Sequence, residues 1–266
     1  MTPSAPRWSD LRPRLISAIV MLTVGAVEIW LGGPSFTVLV LVLTAAMLWE
    51  LARMTAPSHV RSALIMSALG AGALLIVLLS PRETAGALLL VPALAFALTQ
   101  RRDRRLSAAW AAAIMFAGYG LVVLRDSAGA VAILWVVAVV VICDVMGYFA
   151  GRTFGGPKFW PAVSPKKTWS GTVAGWIGAA VVGGVFMALG HAEWTILLLS
   201  PFIALAGQMG DIAESWLKRR AGVKDSSSLI PGHGGVLDRF DAMTGAIAAL
   251  MLLDLLLTLS LPAVAN

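Results

Sequence analysis

The chain has one cysteine and three histidines in 266 residues, and only 13% of its residues are charged. A single cysteine, Cys143, excludes an intrachain disulfide and any cysteine-based zinc or redox motif. No two of His59, His191 and His233 stand at metal-ligand spacing. A soluble domain carries about a quarter charged residues, so the shortage of charge argues against one. Strict alternation of apolar and polar residues is also lacking, which argues against a membrane β-barrel.

What the chain has is apolar length. It is 59% hydrophobic, with a mean hydropathy of +0.86. A membrane span needs about 20 mostly apolar residues, and helices satisfy their own backbone in lipid. The pattern predicts an all-α, polytopic helical bundle with nine spans, at 15–31, 36–51, 62–80, 84–100, 107–124, 129–149, 172–190, 194–210 and 243–261. Only Gly32, Gly33, Pro34 and Ser35 join the first two, which reads equally as a tight hairpin or as two partial spans. Arg7, Arg12 and Arg14 before the first apolar run raise a cleaved leader; with many spans following, an uncleaved first helix fits better. The chain divides into N-terminal helices (1–128) and a C-terminal catalytic region (129–266), integrated in one membrane domain.

Charge placement orients the bundle. With nine spans, 18 of the 20 Lys and Arg residues fall on one side and two, Arg82 and Arg125, on the other. The positive-inside rule then places the N-terminus in the cytoplasm and the C-terminus outside. The net charge of +6 suits an anionic leaflet or anionic substrates, and no nucleic-acid partner is expected. Topology alone accounts for the Arg101–Arg105 run.

Five of the 14 acidic residues lie between 210 and 241: Asp211, Glu214, Asp225, Asp238 and Asp241. Asp211, Glu214, Ser215 and Lys218 stand at i, i+3, i+4 and i+7, on one helix face. Alone, that face also reads as a solvated helix end with a Glu214–Lys218 bridge. Asp238 and Asp241 form a second carboxylate face. Between the two lies Pro231-Gly232-His233-Gly234-Gly235, where glycines let backbone N–H groups approach a ligand. Carboxylates crowded at a membrane interface resist desolvation and repel one another, and a hard divalent cation relieves both. His233 reads as a hydrogen-bond donor to substrate rather than a ligand of Mg²⁺, which prefers oxygen.

A third constellation spans 144–171. Asp144, Tyr148 and Gly151 share a helix face, and the following loop carries Ser164, Lys166, Lys167 and Thr168. Two lysines with flanking hydroxyls suit a phosphate, although a basic cytoplasmic loop would look the same. The Gly-x-x-x-x-Gly-Lys-Ser/Thr pattern of a P-loop is absent. Glu28 and Glu50 fall near predicted helix ends, where interfacial placement explains them, and Asp254 sits deeper in an apolar run.

These residues resemble the phosphatidate cytidylyltransferases, or CDP-diacylglycerol synthases. The resemblance rests on Ser215, Lys218-Arg219, Lys224-Asp225, Pro231 to Gly235 and Asp238-Arg239-Phe240-Asp241, with Asp144, Tyr148, Gly151-Arg152 and Ser164-Pro-Lys-Lys-Thr-Trp upstream. It covers about 144–241; the first half matches only as apolar spans. The chain departs from the family pattern at Val145 (usually Thr), Ser170 (usually Glu) and Ser227 (commonly Gly). Ser170 puts in doubt any role that Glu carries.

The resemblance implies that CTP and phosphatidate give CDP-diacylglycerol and pyrophosphate, with Mg²⁺ and often a monovalent cation such as K⁺. The lipid phosphate is already a nucleophile, so no Ser-His-Asp unit is required; metal charge on the phosphates and in-line positioning are. The expected metal ligands are Asp211, Asp238 and Asp241, with Asp144 a weaker candidate. Lys166, Lys167, Lys218 and Lys224 are expected to hold phosphates, and Ser164, Ser215 and His233 to orient them. Thr168, Arg219, Gly234, Gly235 and Tyr148 complete the expected substrate site. The expected location is a bacterial inner membrane with the site at its cytoplasmic face, among membrane lipids and compatible with a homodimer. The nearest alternatives are a CTP-dependent lipid-alcohol kinase and a cytidylyltransferase for another lipid phosphate. An ion-coupled transporter is the alternative of another class, disfavoured by the lack of an internal repeat.

Overall fold

The computed structural model describes residues 11–81, 86–257, 259 and 261–262; Arg7, Arg82 and the first residues of the expected 84–100 span lie outside them. Apart from one small hairpin and an isolated bridge between Ile230 and Gly234, the regular structure of the described residues is helical. Its helices are α1 (Leu11–Leu31), α2 (Gly33–Thr55), α3 (Val60–Leu79), α4 (Val91–Leu98, preceded by a 3-10 turn at Gly86–Leu90), α5 (Arg104–Thr153), α6 (Trp169–Ala188), α7 (Ile196–Ala221) and α8 (Leu237–Leu257). Among the described residues seven of these are long and apolar enough to cross a membrane: all but α4.

The doubtful first hairpin is two full helices of 21 and 23 residues, each over 30 Å long at about 1.5 Å per residue. Gly32 and Gly33 turn the chain between them with φ of 65° and 59°, a region open to glycine at little cost. The two expected spans at 107–124 and 129–149 form one 50-residue element broken at Gly129, where φ is 79° and ψ −169°. Only glycine adopts that conformation readily. Both ends of α5 return to one end of the bundle. Asp103, before its first residue, meets Arg220 at the end of α7, while Gly151, near its last, packs on Thr168 and Gly171.

The expected loop 150–171 contains structure of its own. Strands β1 (Lys158–Trp160) and β2 (Ser164–Thr168) pair antiparallel, with Lys158 opposite Thr168 and Trp160 opposite Ser164. Three- and five-residue strands are too short for a period-two signal to stand out among long apolar runs.

Two large hydrophobic clusters fill the bundle, beside a small third one of Phe36, Val40 and Val122. One joins α2, α3, α4 and the first arm of α5, and includes Leu217, Val236 and Leu237. The other joins both arms of α5 with α6, α7 and α8 around Trp135, Ile203 and Ile247. By contrast, α1 has no buried residue, as befits a helix facing lipid.

The charged connections gather at one end. Arg101 donates to Thr99 Oγ1 and lies over the Phe96 ring at 4.2 Å, and Arg102 donates to the Arg220 carbonyl. Two cations of the Arg101–Arg105 run therefore brace the fold, beyond the topological part expected of them. Arg125 lies at the opposite end, donating to the carbonyls of Ile29 and Trp30.

Candidate active site

Close helix crossings assemble the site. A Cβ on Gly210 would lie 2.6 Å from the Asp241 carbonyl oxygen, and one on Gly245 would lie 2.5 Å from that of Ala206. Glycine is therefore required for α7 and α8 to approach this closely, as small residues permit in membrane bundles. The consequence is chemical: Asp211 on α7 and Asp241 on α8 lie against each other. Ser215, one turn on, donates to Asp211 Oδ1 at 3.4 Å.

A second crossing brings in the lysines. A Cβ on Gly171 of α6 would sit 2.5 Å from the Gly147 carbonyl oxygen, and one on Gly151 would sit 2.9 Å from Thr168 Oγ1. Buried Thr168 caps α6, accepting from the Gly171 N–H at 3.2 Å. Held by this cap, β2 aims Lys167 at α7, where its Nζ pairs with Asp211 Oδ2 at 2.5 Å. Both side chains keep solvent access, with 23% and 32% of their surface exposed. Lys167 and Asp211 are also the charged neighbours of Asp144. Ser170 donates to the Gly155 carbonyl at 2.5 Å, so the residue standing in place of the family's usual Glu pins the loop before the hairpin.

A cavity of about 370 Å³ opens beside this crossing, and its lining includes Asp144, Tyr148, Lys166, Lys167, Thr168 and Gln208. Gln208 was not expected from sequence. It donates to Cys143 Sγ at 3.2 Å and accepts from Trp176 Nε1 at 3.0 Å, closing the inner end of the cavity. Cys143 is buried, which fits a packing role rather than a reactive one.

The 222–236 loop forms the third part. Lys218 Nζ lies 2.6 Å from both Glu214 Oε2 and Asp238 Oδ1. Asp238 accepts further from the Ser226 N–H at 2.9 Å, Ser226 Oγ at 3.0 Å and the Gly235 N–H at 2.7 Å. Gly234 holds φ at 84°, and a Cβ there would be 2.6 Å from Asp238 Oδ2. His233 Nδ1 lies 2.7 Å from Ser17 Oγ of α1. Lys224 in the loop and Arg219 at the end of α7 are exposed.

The expected residues thus fall into two adjoining groups. Asp144, Tyr148, Lys166, Lys167 and Thr168 surround the cavity. Glu214, Lys218, Asp238, Gly234, Gly235 and His233 form or support the loop. The pair Asp211–Asp241 lies between them, since Asp241 also neighbours Lys218 and Glu214. Ser164, paired with Trp160, serves the hairpin. Among the described residues no three His, Cys, Asp or Glu side chains converge as a ready metal cluster. Asp238, expected to bind metal, already accepts from three backbone or hydroxyl donors and pairs with Lys218.

Glu50 joins the site from outside the expected residues. Rather than facing the interface, it is fully buried, and all its hydrogen bonds come from the 226–237 segment. Its signal was an acid inside an apolar run, with nothing to indicate its partners. Asp254 accepts from the Leu259 N–H at 3.0 Å.

Away from this site, Asp103 is held below the usual carboxylate range by its hydrogen bond from Arg220, with partial burial opposing and the charges of Arg220 and Arg102 reinforcing.

The sequence matches the cytidylyltransferase family over residues 12–257. A phosphatidate cytidylyltransferase of Brucella abortus is 37% identical over 256 residues, covering 92% of this chain and 93% of that protein. One from Staphylococcus saprophyticus is 39% identical over 145 residues, 53% of this chain and 56% of that protein. One from Helicobacter pylori is 46% identical over 129 residues, 47% and 48% of the two chains. Helices α1 to α8, the glycine-built carboxylate pair and the lysine-bearing hairpin thus lie within a match spanning almost the whole sequence, and the chain belongs to the cytidylyltransferase family.

Proposed function

We infer that this chain is a nucleotidyltransferase of the membrane that transfers the cytidylyl group of CTP to phosphatidate, releasing pyrophosphate and forming CDP-diacylglycerol. The observation that carries this reading is the placement of Asp211 and Asp241 between two lysine-bearing elements, Lys167 on the hairpin and Lys218 below the glycine loop. A reaction between a triphosphate and a phosphate monoester needs anion-binding groups on both sides of a charge-neutralising centre.

Two carboxylates in contact on separate helices fit a hard divalent cation, which commonly takes one or two protein carboxylates and completes its shell with phosphate and water. Asp211 and Asp241 would hold Mg²⁺, with Asp144 close by, and the ion would supply positive charge where negative charge builds up. Asp238 then organises the loop instead of ligating. A monovalent ion such as K⁺ has no set of groups assigned to it.

Lys166 and Lys167, in a cavity walled by membrane helices, would hold the phosphate of phosphatidate entering from the bilayer. The 222–236 loop, with Lys224 exposed and Gly234 and Gly235 at its turn, would hold the triphosphate of CTP arriving from water. The lipid phosphate attacks the α-phosphorus of CTP; the bond to the β-phosphate oxygen breaks and pyrophosphate leaves. The charged connections at one end of the bundle support a cytoplasmic face for the site by the positive-inside rule.

The test is labelled CTP with phosphatidate and the purified protein in detergent. Mg²⁺-dependent CDP-lipid and an equal amount of pyrophosphate are expected. Release of CDP with a phosphorylated lipid alcohol would make the chain a kinase instead.

A further inference from the structure

Glu50 stands far outside the 144–241 stretch that carries the recognisable motifs, yet its side chain ends inside the glycine loop. Oε1 accepts from the Val236 N–H at 2.9 Å and from Ser227 Oγ at 2.5 Å. Oε2 accepts from the Leu237 N–H at 2.6 Å and lies 3.3 Å from Ser226 Oγ. Leu237 opens α8, so Glu50 satisfies two N–H groups at a helix start that have no partner within the helix. A negative group is also favoured there by the helix dipole. The carboxylate that caps α8 thus comes from α2, 186 residues earlier in the chain.

The same contacts dictate the loop's shape. Ser226 Oγ lies between Glu50 and Asp238, its O–H shared between the two carboxylates. A Cβ on Gly235 would collide with both Ser226 Oγ and Glu50 Oε1. The second glycine of the Gly-Gly pair is therefore needed because Glu50 fills the space beneath it. Ser227 stands where the family commonly has glycine, and here its hydroxyl gives Glu50 a donor that glycine lacks.

We propose that Glu50 is a positioning residue for nucleotidyl transfer: through Ser226, Ser227, Val236 and Leu237 it fixes the glycine loop and, by way of Ser226, the Asp238–Lys218 pair. Glu50 touches no reacting atom; it acts through the loop. This rests on the reading that the loop holds the CTP phosphates. A buried acceptor facing only donors has a specific requirement. Glutamine in its place keeps the volume but turns one acceptor into a donor, so at least one of the four donors loses its partner.

The experiment measures initial rates of CDP-lipid formation for purified Glu50→Gln, Glu50→Asp, Ser227→Ala and unaltered protein, varying CTP and phosphatidate separately, with thermal melting of each in detergent. Glu50→Gln is expected to lower kcat/KM for CTP by about 10- to 100-fold, as supporting residues of such sites do, with KM for phosphatidate unchanged. Ser227→Ala, which removes one donor and leaves the cap, is expected to raise KM for CTP by a smaller factor without loss of folded protein. It keeps the proposal testable if the Glu50 variants do not fold. Unchanged CTP constants in folded Glu50→Gln or, failing that, in Ser227→Ala overturn the proposal. So does a loss of rate that only tracks the unfolded fraction. A rise in KM for phosphatidate instead of CTP supports the positioning role and overturns the assignment of CTP to this loop.

Discussion

Lys167 and Asp211, 44 positions apart, form an ion pair at 2.5 Å that ties the β-hairpin to α7. Both side chains are partly exposed, although Lys167 Nζ itself is enclosed, and a phosphate reaching Lys167 through the cavity would free Asp211 for a metal ion. Asp211→Asn is expected to lower the rate of CDP-lipid formation by about 100-fold or more, on the scale of losing one preorganised charge in a phosphoryl-transfer site. Lys167→Gln should do likewise, with KM for phosphatidate raised. The double variant should lose less than the product of the two single losses, because residues in contact do not act additively. Full additivity in steady-state kinetics would count against a shared role.

The two aspartates of α8 should fail differently. Asp241→Asn is expected to abolish Mg²⁺-dependent turnover while the thermal midpoint stays near that of the unaltered protein, since Asp241 accepts from the adjacent Ala242 N–H and otherwise faces Asp211, a like charge, and the more distant Lys218. Asp238→Asn should lose both activity and stability, by about 3–5 kcal/mol, as one partner of a largely buried pair is removed. Melting curves in detergent beside Mg²⁺ titrations of activity separate the two. Equal melting points would remove the distinction between ligand and loop organiser.

At the helix crossing, Gly210→Ala should displace α8 from α7, because the new Cβ would meet backbone, which cannot swing aside as a side chain can. The expected result is folded protein with a weakened response to Mg²⁺, as Asp211 and Asp241 separate. An unaltered Mg²⁺ titration would show that the approach of the two helices is not what pairs the carboxylates.

The pair of Asp103 and Arg220 supplies a control remote from the cavity. Asp103 has a lowered folded-state pKa, so its stabilisation is present above its unfolded value and lost as pH falls through the folded one. Its partner Arg220 is about half exposed at the surface, so the effect is small and screened by salt. Asp103→Asn should leave CDP-lipid formation unchanged. Its small deficit in melting temperature at neutral pH should close as pH falls below the ordinary carboxylate range, and a deficit that widens in acid would reverse the assigned sign.

The membrane class, the helical architecture and the two carboxylate faces were legible in the sequence because each depends on near neighbours. Hydropathy over about 20 residues decides a span, and spacings of three and four decide a helix face. The family signature in 144–241 was legible for the same reason, being nearly contiguous. The tertiary structure alone decided that Lys167 reaches Asp211, that Asp238 is absorbed by its own loop, and that Glu50 caps a helix from the far half of the chain. Those outcomes depend on how closely backbones approach at Gly210 and Gly171 and how closely the Glu50 carboxylate approaches Gly235. That closeness follows from the absence of a side chain between segments distant in sequence, and no local pattern encodes which segments those are.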